Sequence, residues 1–333
     1  MFKGKKRGAA AYIILAIILV ISLLLLIVAF LPKPQNYKET NPLLKQGNRP
    51  TLVAHRGGAG EFPGNTLEAF YNAHSVDENV IMETDINITK DGVLILCHET
   101  YLDKRTNVTG EIIDWNYSDI MDQKVNFGYD HSELFKDDNG KEVKPCDLEE
   151  YPNGLEGRDK EIYLATTFEQ LLIAFPNNTI IIEIKQTGDV GIQAAQEAIR
   201  IVEKHNAFDR VVFGSFNHNV FREFQKLAKN NEVPDNFMYS PSTVDIIEYV
   251  ALYYSGLDTL YGKGICVLQI PMQEVGFDLS TKRFIETAHK HNIAVCYWTI
   301  NDENEMITLI ENGADAIMTD YPHKLKEILD VYA

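Results

Sequence analysis

Basic residues are scarce in this chain. Against 48 aspartates and glutamates stand 31 lysines and arginines in 333 residues, a formal net charge of -17. That balance argues against nucleic acid as a partner, because its binders present a basic face. An anionic substrate stays open to it if a metal and a few cations supply the attraction locally. Cysteine is also sparse: the four, Cys97, Cys146, Cys266 and Cys296, show no CxxC or other zinc spacing. Cys97, Cys266 and Cys296 sit in apolar strand-like runs, which reads as buried free thiols in preference to disulfides. No Gly-rich phosphate loop opens the first crossover, which counts against a doubly wound nucleotide-binding sheet.

Charge is missing altogether from one long stretch. Lys3, Lys5, Lys6 and Arg7 precede an unbroken apolar run from Ala9 to Leu31. A helix needs about 20 such residues to span a bilayer. A secretory signal carries an apolar region of only about 7 to 15 residues and ends in a small-x-small site. This run is longer and ends in Ala29-Phe30-Leu31-Pro32, so an uncleaved anchor is expected. The basic excess before it places residues 1–8 in the cytoplasm and the rest outside the cell. Residues 32–49, with Pro32, Pro34 and Pro42 among polar groups, read as a linker, and residues 50–333 as the globular domain.

An apolar share of 45% supports a sizeable core for that domain. Strand-like runs at Thr51 to Ala54, Val80 to Ile86, Thr179 to Ile184, Arg210 to Ser215, Asn236 to Tyr239, Ile265 to Ile270, Ile293 to Thr299 and Ala314 to Thr319 alternate with helix-like segments. Eight strands in this rhythm predict a (β/α)8 TIM-type barrel. The rhythm fails at about 107–165, a polar, turn-rich insertion after the second strand.

The stretch Val80 to His98 is the most informative. Glu83 and Asp85 lie two apart on a strand and so face one spot. Lys90-Asp91-Gly92 is a hairpin signal. An antiparallel return would bring His98 opposite Thr84, beside both acids. Catalytic groups in barrels sit at the C-terminal ends of strands. The first strand ends in His55-Arg56-Gly57-Gly58 and the third in Glu183-x-Lys185, while later ends carry Ser215-Phe216, Tyr239, Gln269, Trp298 and Thr319-Asp320. Glu83, Asp85 and Glu183 are hard oxygen ligands suited to a divalent metal, Ca²⁺ or Mg²⁺, not zinc. Arg56 and Lys185 are suited to anionic oxygens. His55 and His98 have the acid/base range for proton transfer. Trp298 is expected as a pocket wall, and Asp320 as a residue that orients a neighbour or caps the following helix. The remaining histidines read as structural.

The strings AHRGGAGEFPGNTLEAF, ETDINITKDGVLILCHETYLDKRTNVTG, EIK, GSF, YWTIND and MTDYP, in that order, resemble the glycerophosphodiester phosphodiesterase family over roughly residues 51 to 330. The resemblance implies a phospholipase-C-like phosphodiesterase barrel, a metal on Glu83, Asp85 and Glu183, and His55 with His98 as the acid/base pair. It also implies attack by a substrate glycerol hydroxyl on phosphorus, expulsion of an alcohol, and hydrolysis of a cyclic phosphate to glycerol 3-phosphate. The family's Pro-Glu-Asn-Thr reads Pro63-Gly64-Asn65-Thr66 here, and Glu61 is the nearest acid to stand in. Its His-Asp reads His98-Glu99. Candidate substrates are small-molecule or lipid-derived glycerophosphodiesters. A lysophospholipase D-like activity is the nearest enzymatic alternative. A non-catalytic domain that binds glycerophosphate or a cell-wall polymer, motivated by Gly64, is the alternative of another class.

Overall fold

A computed structural model describes residues 3–45, 47, 49–128 and 162–332. The chain opens with helix α1 (Lys3–Ala29), whose window Ala11–Val28 has mean hydropathy 3.3 and no residue buried. At 1.5 Å per residue this helix is about 40 Å long, enough to cross a membrane. Then come β1 (Thr51–Ala54), α2 (Leu67–Val76), β2 (Ile81–Ile88), β3 (Leu94–Leu96), α3 (Tyr117–Asp122), α4 (Phe168–Ala174), β4 (Ile180–Ile184), α5 (Gly188–Lys204), β5 (Val211–Gly214), α6 (His218–Lys229) and β6 (Met238–Tyr239). The second half holds α7 (Thr243–Ser255), β7 (Val267–Ile270), a two-stranded hairpin β8 (Gln273–Glu274) and β9 (Phe277–Asp278), α8 (Lys282–Lys290), β10 (Ala294–Tyr297), α9 (Glu303–Asn312), β11 (Ala316–Thr319) and α10 (Pro322–Val331).

Eight strands run parallel in the order β6-β5-β4-β2-β1-β11-β10-β7. Cys266 N donates to Tyr239 O at 3.0 Å and brings the two ends of that path together. This is the expected TIM-type barrel. β3 pairs only with β2, antiparallel, as a hairpin arm outside the ring. Most of the strands are rich in β-branched residues and nearly all their residues are buried, so they read as nearly continuous apolar runs. One set of strand side chains packs outward against the helices. The other set, including Val53, Ile181, Val212, Met238, Val267 and Cys296, fills the barrel interior. Helix starts are fixed chemically: Thr167 and Gln170 form a capping box on α4, and Asp302 caps α9.

The presumed linker has a second role that its polar composition hides. Tyr37 and Leu43 are buried in the interior cluster of the barrel. Asn41 Nδ2 donates to the carbonyls of Cys266 (2.7 Å) and Asn292 (3.0 Å), and Asn36 N donates to His291 O at 2.9 Å. These asparagines satisfy backbone groups at the N-terminal ends of the strands, where a barrel floor would otherwise bury unpaired carbonyls. The segment from about 36 to 45 is therefore a plug, with only a few residues left between it and α1.

Of the insertion, residues 107–128 hold α3 and an apolar cluster of Ile112, Ile120, Val125 and Phe127 against Ile95 and Cys97. The turns expected at 137–140 and 151–154, together with Cys146, lie outside the described residues. Cys97, Cys266 and Cys296 are buried and free.

Candidate active site

The first strand leaves the barrel into a tight turn. His55–Gly57 forms one 3-10 turn in which Arg56 takes φ 54°. The glycines that follow are sterically required. A Cβ on Gly57 would lie 2.8 Å from Ala69 Cβ, and one on Gly58 2.7 Å from Pro322 Cγ. The turn folds Arg56 N back to donate to Glu83 Oε2 at 2.9 Å. Arg56 Nε then lies 3.2 Å from Asp85 Oδ2.

Glu83 and Asp85 project from β2 to the same side, and β4 pairs in register so that Glu183 lies beside Asp85. One oxygen from each of Glu83, Asp85 and Glu183 falls within a mutual 4.8 Å. Lys185 Nζ sits 2.9 Å from Glu183 Oε1 and 3.6 Å from Asp85 Oδ1. The hairpin returns as the alternation predicts: Ile86 faces Leu96, and Cys97 N donates to Asp85 O at 3.0 Å, which sets His98 opposite Thr84. Asn87 Nδ2 donates to the carbonyls of Cys97 (2.7 Å) and Glu99 (3.1 Å), clamping the loop that carries His98. The His98 ring has Glu99 Oε1 at 3.1 Å from Nδ1. Glu99 thus reaches the imidazole despite being one methylene longer than the family's aspartate.

His55, Arg56, Glu83, Asp85, His98, Glu183, Lys185 and Trp298 line one cavity of about 110 Å³, joined there by Phe216, Gln269, Thr299 and Met318. The eight candidate site residues thus come to one place, whereas Ser215, Tyr239, Thr319 and Asp320, also at strand ends, are not among its lining residues. Trp298 forms a wall with its ring 5.6 Å from that of Phe216.

Asp320 takes the first of its two expected roles. Its Oδ1 lies 2.6 Å from His55 Nδ1, and Asn301 Nδ2 donates to its other oxygen at 2.8 Å. Asn301 in turn accepts from Asp320 N and Thr319 Oγ1, both at 3.0 Å. With Nδ1 engaged by Asp320, Nε2 is the His55 ring nitrogen left for another partner. Asn65 went unassigned in the sequence, although it sits inside the Pro-Gly-Asn-Thr string. Its amide nitrogen donates to Asp85 Oδ2 at 3.0 Å, while its oxygen accepts from Thr84 Oγ1 (2.8 Å) and Asp85 N (3.1 Å). Its burial and its φ of 64° beside the Thr66 cap of α2 appear only in the structure.

Glu61 does not stand in for the acid missing at Gly64. Its carboxylate accepts from Asn72 Nδ2 (2.7 Å) and His323 N (2.9 Å) and contacts His323 Nδ1 at 2.7 Å, turned toward α10. At Gly64 itself a Cβ would come 3.0 Å from Ala59 Cβ and 3.1 Å from Arg56 Cβ, so the loop is packed closely around the smaller residue.

Electrostatics divide the groups. Burial, aided by Asp85, pushes the Glu83 carboxyl up to about 7 against the pull of His55 and Arg56. Burial also raises Glu183, while Asp85 stays low because Arg56 and Lys185 outweigh its desolvation. Burial pulls on His55, but the Asp320 hydrogen bond and the charge of Glu83 leave it raised. His98 is lowered, by burial and then by Arg56 and Lys185, in spite of Asp85. The charge of Asp85 raises both Glu83 and Glu183, a repulsion that a cation among the three would relieve. All three are hard oxygen donors, so the set fits Ca²⁺ or Mg²⁺.

A parallel barrel with acids, cations and imidazoles gathered at the C-terminal rim is the architecture of a barrel hydrolase. The chain belongs to the glycerophosphoryl diester phosphodiesterase family, whose family model matches residues 55–324. It is 26% identical over 300 residues to human lysophospholipase D GDPD1, covering 83% of this chain and 85% of that protein. It is 27% identical over 278 residues to a glycerophosphodiester phosphodiesterase of Bacillus altitudinis, covering 83% and 97% respectively. Among solved structures, a phosphodiesterase from Oleispira antarctica in complex with the product sn-glycerol-3-phosphate matches with a TM-score of 0.60 at 19% identity, over 85% of this chain and 97% of that one.

Proposed function

We propose that this protein is a membrane-anchored, metal-dependent phosphodiesterase that hydrolyses a glycerophosphodiester to glycerol 3-phosphate and an alcohol. The observation that carries this reading is the convergence of three carboxylates, two cations and two imidazoles on one cavity. Glu83, Asp85 and Glu183 would hold Ca²⁺ or Mg²⁺. When bound, such an ion supplies Lewis-acid stabilisation of charge on the phosphoryl oxygens.

The chain's own groups account for the remaining steps. Arg56 and Lys185 hold the non-bridging phosphoryl oxygens, and Trp298 with Phe216 walls the glycerol side. His98 accepts the proton of the glycerol hydroxyl that attacks phosphorus. His55, its Nδ1 fixed by Asp320, donates from Nε2 to the departing alkoxide as the P–O bond to the alcohol breaks. The cyclic phosphate is then opened by water with the two imidazoles in reversed roles, which returns both to their starting state. In lysophospholipase D-like chemistry the same steps run on a glycerol that carries one acyl chain and yield its monoacyl phosphate. The name of the human relative and the apolar helix α1 favour keeping that reading beside the first.

For topology, the basic excess in the first turns of α1, ahead of its apolar run, supports a cytoplasmic N-terminus and an extracellular catalytic domain. The domains proposed are a tail at 1–8, the membrane helix at 9–31, the connecting segment at 32–49 and the barrel at 50–333.

The deciding assay gives the purified chain glycerophosphocholine, with Ca²⁺ or Mg²⁺ added separately, and measures glycerol 3-phosphate. His98→Ala is expected to lower kcat by about 10²- to 10⁴-fold, and Glu83→Ala to abolish the response to metal. Absence of metal-dependent release from glycerophosphodiesters would leave the domain a binder. Activity indifferent to both substitutions would refute the site.

A further inference from the structure

The outer faces of the barrel helices differ in one place. On α6 the exposed positions are Asn219, Arg222, Lys226 and Lys229, and on α8 they are Lys282, Arg283, Glu286 and Lys290. Between them, α7 exposes Val244, Ile247, Ala251 and Tyr254, which at spacings of three and four residues form one helical stripe, with Thr243, Glu248 and Ser255 exposed along its edges. Ile247 is 63% exposed and Val244 55%. The other face of α7, with Tyr249 fully buried, already packs on the barrel. A helix apolar on both faces has a second apolar environment to meet.

The stripe continues at both ends. Phe277 of the β8–β9 hairpin lies with its ring 4.7 Å from that of Tyr254, whose hydroxyl donates to Asp278 O at 2.7 Å. The hairpin tip is Val275, 85% exposed and at φ 47°, where a β-branched residue is strained and glycine or asparagine would be ordinary. Leu260, 57% exposed, lies in the turn Asp258–Leu260 that α1 touches, and Lys33 is tied to that turn by Asp258 (2.7 Å) and Thr259 (2.8 Å). From Leu31 to Lys33 the chain spans at most about 7 Å. At the other end, Thr243 N donates to Phe216 O at 3.4 Å, and Phe216 stacks on Trp298 in the catalytic cavity. An apolar track thus runs from the point where the membrane helix leaves the bilayer to the mouth of the site.

We infer that the face made by α7, Leu260 and the 273–278 hairpin lies on the lipid bilayer, and that the site takes its substrate from that surface, a glycerophosphodiester carrying an acyl chain. The tether holds the face at the membrane, and the apolar stripe gives it a reason to stay there. The inference rests on the proposed membrane span and the proposed hydrolysis.

The test uses the full chain in liposomes, with Cys146→Ser and single cysteines at Ile247, Val275 and, as control on α10, Glu327, each carrying a spin label. Labels at 247 and 275 are expected to be reached by oxygen and shielded from a water-soluble nickel chelate, and the label at 327 to show the reverse. In parallel, Ile247→Asp with Val275→Asp should lower hydrolysis of lysophosphatidylcholine in the bilayer at least tenfold and leave that of dissolved glycerophosphocholine within twofold. Nickel access at both positions overturns the inference, as does equal loss on both substrates or on neither. Close pairing of labels at 247 between two chains would show that a second copy covers the face, which also overturns it. If the chain fails to float with liposomes, or cleaves neither substrate, the membrane span or the hydrolysis is what fails, and the inference falls with it.

Discussion

At the scale of single residues, the site depends on second partners as much as on the groups assigned to chemistry. Asp320 touches no phosphate in the proposed mechanism, yet it sets which ring nitrogen of His55 faces the cavity. Asp320→Asn keeps the shape and removes the charge that favours the imidazolium. It is expected to lower kcat by about a hundredfold with KM nearly unchanged, measurable on glycerophosphocholine at saturating metal. The pair Glu61 and His323 gives a pH test away from the site. The hydrogen bond from its Nδ1 to the Glu61 carboxylate raises His323 against the opposing effect of burial. A histidine raised on folding contributes stability that is complete below its unfolded value of about 6.5 and is lost as pH rises through the folded value. Glu61→Gln should therefore lower the melting temperature more at pH 6 than at pH 9. His323 is 53% exposed, so the pH-dependent part is below about 1 kcal/mol.

At the scale of elements, the β2–β3 hairpin shows what periodicity can and cannot specify. Alternation on β2 and the Asp91-Gly92 turn fix the register, because a one-residue slip would turn every side chain to the wrong face. The position of His98 beyond β3 then depends on Asn87, whose amide holds the two carbonyls flanking that histidine. Period two puts this asparagine on the face of Glu83 and Asp85, but nothing in the sequence shows which groups it bonds. Asn87→Ala should let the loop drift and cost about a hundredfold in kcat. Metal affinity, read by calorimetry, should stay within a few-fold, since Glu83, Asp85 and Glu183 stand on other supports. The plug at 36–45 is a similar case. Its polar composition suggested a tether, and its asparagines turn out to bond the carbonyls of Tyr261, Cys266 and Asn292, in the segments leading into β7 and β10 and more than 200 residues away.

At the scale of the whole molecule, the apolar helix α1, the plug and the barrel follow one another along the chain, and the proposed span would set the plug close to a membrane. With the N-terminus inside, protease added to intact cells should remove the catalytic domain, as followed by blotting for a C-terminal tag; full protection would reverse the proposed orientation. The sequence by itself determined the barrel, through eight β-then-α repeats, and singled out the candidate groups that meet in the cavity: the carboxylates Glu83, Asp85 and Glu183, the cations Arg56 and Lys185, and the imidazoles His55 and His98. Those follow from short-range rules: period two on strands, strand ends as sites, and residue chemistry. The tertiary structure decided what depends on residues far apart in the chain. It joined Asp320 to His55 and Asn65 to Asp85, turned Glu61 away to His323, and seated the plug under the strands. It also left α7 with an apolar face toward solvent, which periodicity could not reveal because the helix is apolar on both sides. Hydrogen bonds between distant segments carry no local pattern, so only the packed fold could place them.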